Sequence, residues 1–261
     1  MKTTPTALPS LKEVPEAAWQ KLAEKKIYFG HQSVGFNLID GIKDVLKENP
    51  KIRLNLQETD DPALFSAPLL AHSRVGQNMD PGSKIQAFAG FMDKGLGDKA
   101  DIAFFKFCYV DFTPATETEK VFAEYRNALT ALQNRYPRTT FLHLTVPLTT
   151  VPTGFKPWIK GVIKKTIGRP SGHEDNIQRE KFNQLLRRNY APPTLQPPPP
   201  ILFDLAALES TFPDGTRIAF EKDGEKYYSL VPDYASDGRH LNEKGRKFIA
   251  EQFLIFLAGR K

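Results

Sequence analysis

The chain has 261 residues, 40% hydrophobic and 11% aromatic with 19 phenylalanines, enough apolar matter for a sizeable core and too much for a disordered chain. Its net charge of +6 is dispersed, without the long basic blocks of a nucleic-acid arm. The single Cys108 excludes an internal disulfide and a cysteine-rich metal site, and no window approaches the ~18 apolar residues that span a bilayer.

Residues 1–24 read as an N-terminal extension that lacks the apolar region of a signal peptide. A soluble protein is expected, cytoplasmic as written, or periplasmic or secreted if a leader has been removed. Residues 26–32, "KIYFGHQ", begin as a strand and end in a glycine-containing turn. From Phe36 the period changes. Leu38, Ile42 and Val45 fall on one helical face that ends at Asn49-Pro50. "IRLNLQE" (52–58) alternates like a strand, and a loop-rich stretch with "HSRVGQNMDPGSK" leads to a helix-like "IQAFAGFMDKG".

"DIAFFKFCYVDF" (101–112) is nearly continuously apolar, as a strand covered on both faces would be. Phe122, Tyr125, Leu129, Leu132 and Tyr136 then mark one face of a helix. "TTFLHLTVPL" (139–148) reads as another buried strand, and 176–190 as a helix. "PPTLQPPPP" is a rigid polyproline-like connector and "ILFDLAAL" a further strand. Within 211–235 an Asp-Gly pair predicts an inserted β-hairpin, and a helix from about Glu243 buries Ile249, Phe253 and Phe256. Strands alternating with helices predict one α/β domain over 1–261, a three-layer α/β/α sandwich around a mainly parallel five-stranded sheet of the flavodoxin-like kind.

In such sheets chemistry collects where strands end and helices begin. Ser33, the loop from Gly76 to Asn78, and residues 108–111 all lie there. A serine hydroxyl needs a base within hydrogen-bond reach. Of five histidines, His72 lies in a loop, His173 opens a helix, His143 reads as a core residue, and His31 is too close to Ser33 without a sharp bend. His240 has Asp237 three residues before it, a spacing that lets a carboxylate orient the imidazole, although Ser-Asp-Gly is also an ordinary turn. The histidines are scattered, so no metal site is expected.

A serine after the first strand, with "DGRHLNEKG" before the last helix, resembles the SGNH (GDSL-type) hydrolases over nearly the whole chain. The resemblance implies an SGNH-type fold and a cofactor-free serine esterase. Ser33 would be the nucleophile, His240 the general acid/base and Asp237 the residue that orients it. The family's oxyanion hole uses the serine amide, a glycine matched here by Gly76, and an asparagine side chain. Three departures stand out. Gln32 replaces the aspartate of Gly-Asp-Ser. The third motif offers Asp111 but has Val110 where the asparagine belongs, leaving Asn78 first, then Tyr109 or Gln32, as substitutes. Lys106 interrupts an apolar strand; it reads as an outer-edge lysine that snorkels, with a buried cation as the alternative.

Cys108 reads as a core thiol. The basic, apolar "FKPWIKGVIKKTIGRP" (155–170), within 149–175, reads as a lid or substrate wall. The expected partner is a small-molecule or carbohydrate ester, with no nucleic acid and no stable membrane insertion. The expected function is a short-chain or carbohydrate O-acetyl esterase. The alternative is a non-catalytic carbohydrate- or lipid-binding module on the same scaffold.

Overall fold

The computed structural model describes residues 8–151, 172–191 and 201–260. Helix α1 (Glu16–Ala23) leads into β1 (Lys26–His31), whose side chains alternate between two cores. Ile27 and Phe29 pack into one and Tyr28 into the other, the period-two pattern of a strand buried on both sides. Next come α2 (Val34–Glu48), β2 (Leu56–Glu58), β3 (Leu69–Arg74), α3 (Pro81–Phe91) and β4 (Ile102–Phe105). After α4 (Thr118–Arg135), the fifth strand is interrupted at Leu142 into β5 (Thr140–Phe141) and β6 (His143–Leu144). Helix α5 (Gly172–Tyr190), β7 (Leu202–Phe203), α6 (Leu205–Glu209), the hairpin β8 (Ala219–Lys222) and β9 (Glu225–Tyr228), and α7 (Glu243–Ala258) complete the order.

The central sheet is parallel and five-stranded, in the order β2-β3-β1-β4-β5. β6 continues the fifth strand by pairing in parallel with β7. Helices α2 and α7 supply Leu38, Ile42, Val45, Ile249 and Phe253 to one core. Helices α3, α4 and α5 supply Phe88, Phe122, Tyr125 and Phe182 to the other. The result is the expected three-layer α/β/α sandwich. β1 lies centrally, with its sequence successors on either side, so its carboxyl end is the topological switch point.

Several local readings change. "LLAHSR" is β3, a full partner of β1 from Lys26↔Leu69 to His31↔Arg74, although its polar end looks like loop. The strand within 101–112 stops at Phe105, that within 52–58 is only Leu56–Glu58, and "ILFDLAAL" divides at Asp204, which caps α6 by accepting from the Ala207 amide. Lys106 is buried at 1% exposure, not snorkelling; its ammonium donates to the Phe107 carbonyl at 3.2 Å. The hairpin turns through Asp223 and Gly224, with φ of 53° and 79°, as its Asp-Gly predicts. Most of the expected lid, 152–171, and the polyproline-like 192–200 lie outside the described residues. Among the described residues no helix is long and apolar enough to cross a membrane.

Candidate active site

The turn after β1 is built from its small residues. Ser33 has φ 30° and ψ −98°, a sparsely populated conformation for a non-glycine residue, and its side chain does not cap α2. Bonds from the Gly35 amide to the Gln32 carbonyl (2.7 Å) and from the Phe36 amide to the Ser33 carbonyl (2.9 Å) hold the turn. Gly35 has no alternative: a Cβ there would stand 2.3 Å from the His31 ring packed beneath it. His31 is fully buried, with Nε2 3.1 Å from His72 Nδ1, and burial, assisted by Lys106, pulls its pKa down to about 2. It is therefore a neutral packing group facing away from base chemistry.

Ser33 Oγ lies 2.5 Å from His240 Nε2, and His240 Nδ1 lies 2.8 Å from Asp237 Oδ2. The other Asp237 oxygen accepts the Arg239 and His240 amides at 2.9 and 2.8 Å. Burial would raise the Asp237 pKa, but the His240 amide, its imidazole and the Arg239 amide outweigh it and hold the carboxyl at about 2. An ionised carboxylate fixes Nδ1 as the protonated ring nitrogen and leaves Nε2 to accept from the serine. The imidazole also packs edge-on to Tyr109, with ring centroids 5.7 Å apart. Helix packing sets these distances. The Leu241 amide donates to Asn37 Oδ1 on α2, and Arg246 Nε on α7 donates to Asp44 on α2 at 2.8 Å.

Two further loops meet this turn. After β3, Gly76 has φ +56°, and a Cβ there would press within 2.5 Å of the Lys84 backbone. Gln32 Nε2 donates to the carbonyls of Gly76 (2.8 Å) and Val75 (3.3 Å). Its amide hydrogens are thus spent on tying the two loops together, which removes Gln32 from the candidates for an oxyanion donor. Asn78 is exposed, and Lys84 Nζ donates to its Oδ1 at 3.0 Å. After β4, Asp111 is buried, accepting from Lys84 Nζ (2.5 Å), the Cys108 amide (2.6 Å) and the Met79 amide (2.9 Å). Asp111 thus fastens the loops instead of reaching a substrate. Cys108 is fully buried against Val34 and Tyr109.

A cleft of about 310 Å³ opens beside Asp237, with Met79, Tyr109, Val110, Thr149, Asp175 and Arg239 in its lining. Arg179 also lines it, at 2% exposure, donating to the Tyr109 carbonyl (2.8 Å) and Thr149 Oγ1 (2.8 Å). Nothing in the sequence pattern singles out Lys84 or Arg179. Both read as ordinary polar positions of helices, and only the partners that cover them reveal their burial. Among the described residues no three His, Cys, Asp or Glu side chains cluster as a metal site would require.

The family model described as GDSL-like lipase/acylhydrolase matches residues 42–253, which includes Asp237 and His240 and begins beyond Ser33. Among solved structures, the chain is similar to one from Streptococcus pneumonia assigned as a platelet activating factor. That match has 14% identity and a TM-score of 0.50, covering 95% of this chain and 94% of the other. It is also similar to one from Desulfitobacterium hafniense assigned as a lipolytic protein of the G-D-S-L family, at 9% identity and a TM-score of 0.45, covering 89% and 99%. At 14% identity the first of these likenesses concerns the fold alone. No curated protein matches the sequence.

Proposed function

Because the chain belongs to the GDSL-like lipase/acylhydrolase family and is a hydrolase of ester bonds, we propose that it cleaves a short-chain or carbohydrate O-acetyl ester through an acyl-Ser33 intermediate. The observation that carries this reading is the contact of 2.5 Å between Ser33 Oγ and His240 Nε2, with Asp237 on the far side of the ring.

The chemistry follows from those contacts. Ser33 Oγ attacks the ester carbonyl carbon as its proton passes to His240 Nε2, and Asp237 stabilises the imidazolium. The Ser33 and Gly76 amides have no protein acceptor among the described residues, so both are available to the oxyanion. The imidazolium returns its proton to the leaving alkoxide, which departs as an alcohol. Water then repeats the sequence on the acyl-serine, releasing the acid and restoring Oγ–H. A cleft of about 310 Å³ whose lining includes Thr149, Asp175 and Arg239 supports a small, partly polar ester.

Ser33→Ala should abolish turnover of p-nitrophenyl acetate while the circular dichroism spectrum stays that of the wild type. A fluorophosphonate probe should label the wild-type protein at Ser33 alone. Full turnover by the alanine variant would overturn the assignment. The family membership and an assembled Ser–His–Asp contact speak against the alternative of a non-catalytic binding module.

A further inference from the structure

The oxyanion hole described so far has two backbone donors, and Val110 stands where a third, from a side chain, is expected. The β3–α3 loop carries a side-chain amide two residues beyond Gly76. Asn78 sits at the corner of a tight turn closed by the Gln77↔Asp80 bridge, next to Met79 at φ 68°. What fixes its orientation lies underneath. Lys84 is the fourth residue of α3, at 0% exposure, with its ammonium against Asp111 Oδ2 at 2.5 Å and Asn78 Oδ1 at 3.0 Å.

An ammonium only donates, so the end of the Asn78 amide that meets it must be the oxygen. The amide nitrogen is thereby turned away from the buried cation, and among the described residues it has no protein acceptor. The same lysine presses its backbone against Gly76, the site of the second donor. Its carboxylate partner, Asp111, belongs to the loop that lacks the asparagine and binds the Met79 amide beside Asn78. One buried pair therefore touches the β3 and β4 loops at once.

We propose that Lys84 is a positioning residue that holds the Asn78 amide as the third oxyanion donor, in place of the one missing at Val110. This rests on the serine-esterase reading above. Lys84 touches no reacting atom; it sets which end of the amide faces the developing charge.

The test is a double-mutant cycle on p-nitrophenyl acetate hydrolysis. Asn78→Ala is expected to lower kcat by about 100-fold with KM within about twofold, as loss of a transition-state donor does. Lys84→Met, made together with Asp111→Asn so that no carboxylate is left buried without a countercharge, should lower kcat alone and by a similar factor. Adding Asn78→Ala to that pair should lower it no further, because the donor is already misplaced. A folded Lys84→Met/Asp111→Asn enzyme with wild-type kcat overturns the inference. So does a triple variant in which the losses multiply. If the wild-type enzyme itself neither turns over the ester nor takes the fluorophosphonate label, the serine reading falls and this inference with it.

Discussion

Three residues, two in the nucleophile turn and one in the loop before α7, carry separable burdens. Ser33 occupies a backbone conformation that costs on the order of 1–3 kcal/mol when a side chain is present. Ser33→Gly and Ser33→Ala should both be inactive, but the glycine variant should be the more stable by about 1 kcal/mol in urea unfolding, and equal midpoints would deny the strain. Gly35→Ala should disturb both fold and activity, since its methyl group meets the buried His31 ring. Asp237→Asn tests the charge and not the shape: the carboxylate, held at about 2, is ionised throughout the working range. Losing it should cut kcat by roughly 100- to 10,000-fold, with little change in melting temperature because the side chain is half exposed.

At the scale of elements, nucleophile and base are brought together by two packed helices. α2 begins beside Ser33, α7 begins just after His240, and a Cβ on Gly41 of α2 would come within 2.2 Å of the Arg246 backbone carbonyl on α7. Gly41→Ala should force the helices apart, costing on the order of 1–3 kcal/mol and lowering kcat though it lies outside the site; an unchanged kcat would show that the approach is not limiting. These helices were legible from periodicity, because Leu38, Ile42, Val45, Ile249 and Phe253 mark their inward faces. The strand β3 was not. Its residues His72 and Ser73 are polar, and only their buried partners, the ring of His31 and the hydroxyl of Tyr28 at 2.7 Å, make that segment a central strand. The C-terminal Asp237 and His240 were legible from local spacing, whereas the roles of Gln32, Lys84 and Asp111 depend on contacts between segments distant in sequence.

The whole molecule buries ionisable groups whose titration opposes itself. His31 and His143 are neutral when folded, with pKa values pulled by burial to about 2 and about 3. The unfolded chain protonates both below about 6.5, so it binds more protons than the folded one there. Their stability contribution is complete above about pH 6.5 and is lost as pH falls, by roughly 1.4 kcal/mol per group per unit. Glu209 acts in the other direction. Burial, only partly offset by the Leu148 amide and by Lys106 and Arg179, pushes its carboxyl up to about 8. The folded state keeps a proton that the unfolded chain gives up above about pH 4.5, so stability declines as pH rises toward 8. Urea unfolding should therefore be hardest at about pH 6 to 7. His143→Gln should flatten the acid limb and Glu209→Gln the alkaline one. A wild-type curve still rising from about pH 7 to 8 would contradict this assignment.

The separation of Ser33 from His240, 207 positions along the chain, orders events in time as well as space. A ribosome releases the nucleophile's strand and turn long before it makes the base. Until α7 docks on α2, the serine has no acceptor for its proton and remains an ordinary alcohol. During refolding from urea, recovery of hydrolysis should consequently require this docking and should not precede the far-ultraviolet signal of the helices. Activity then reports the docking of α7 on α2.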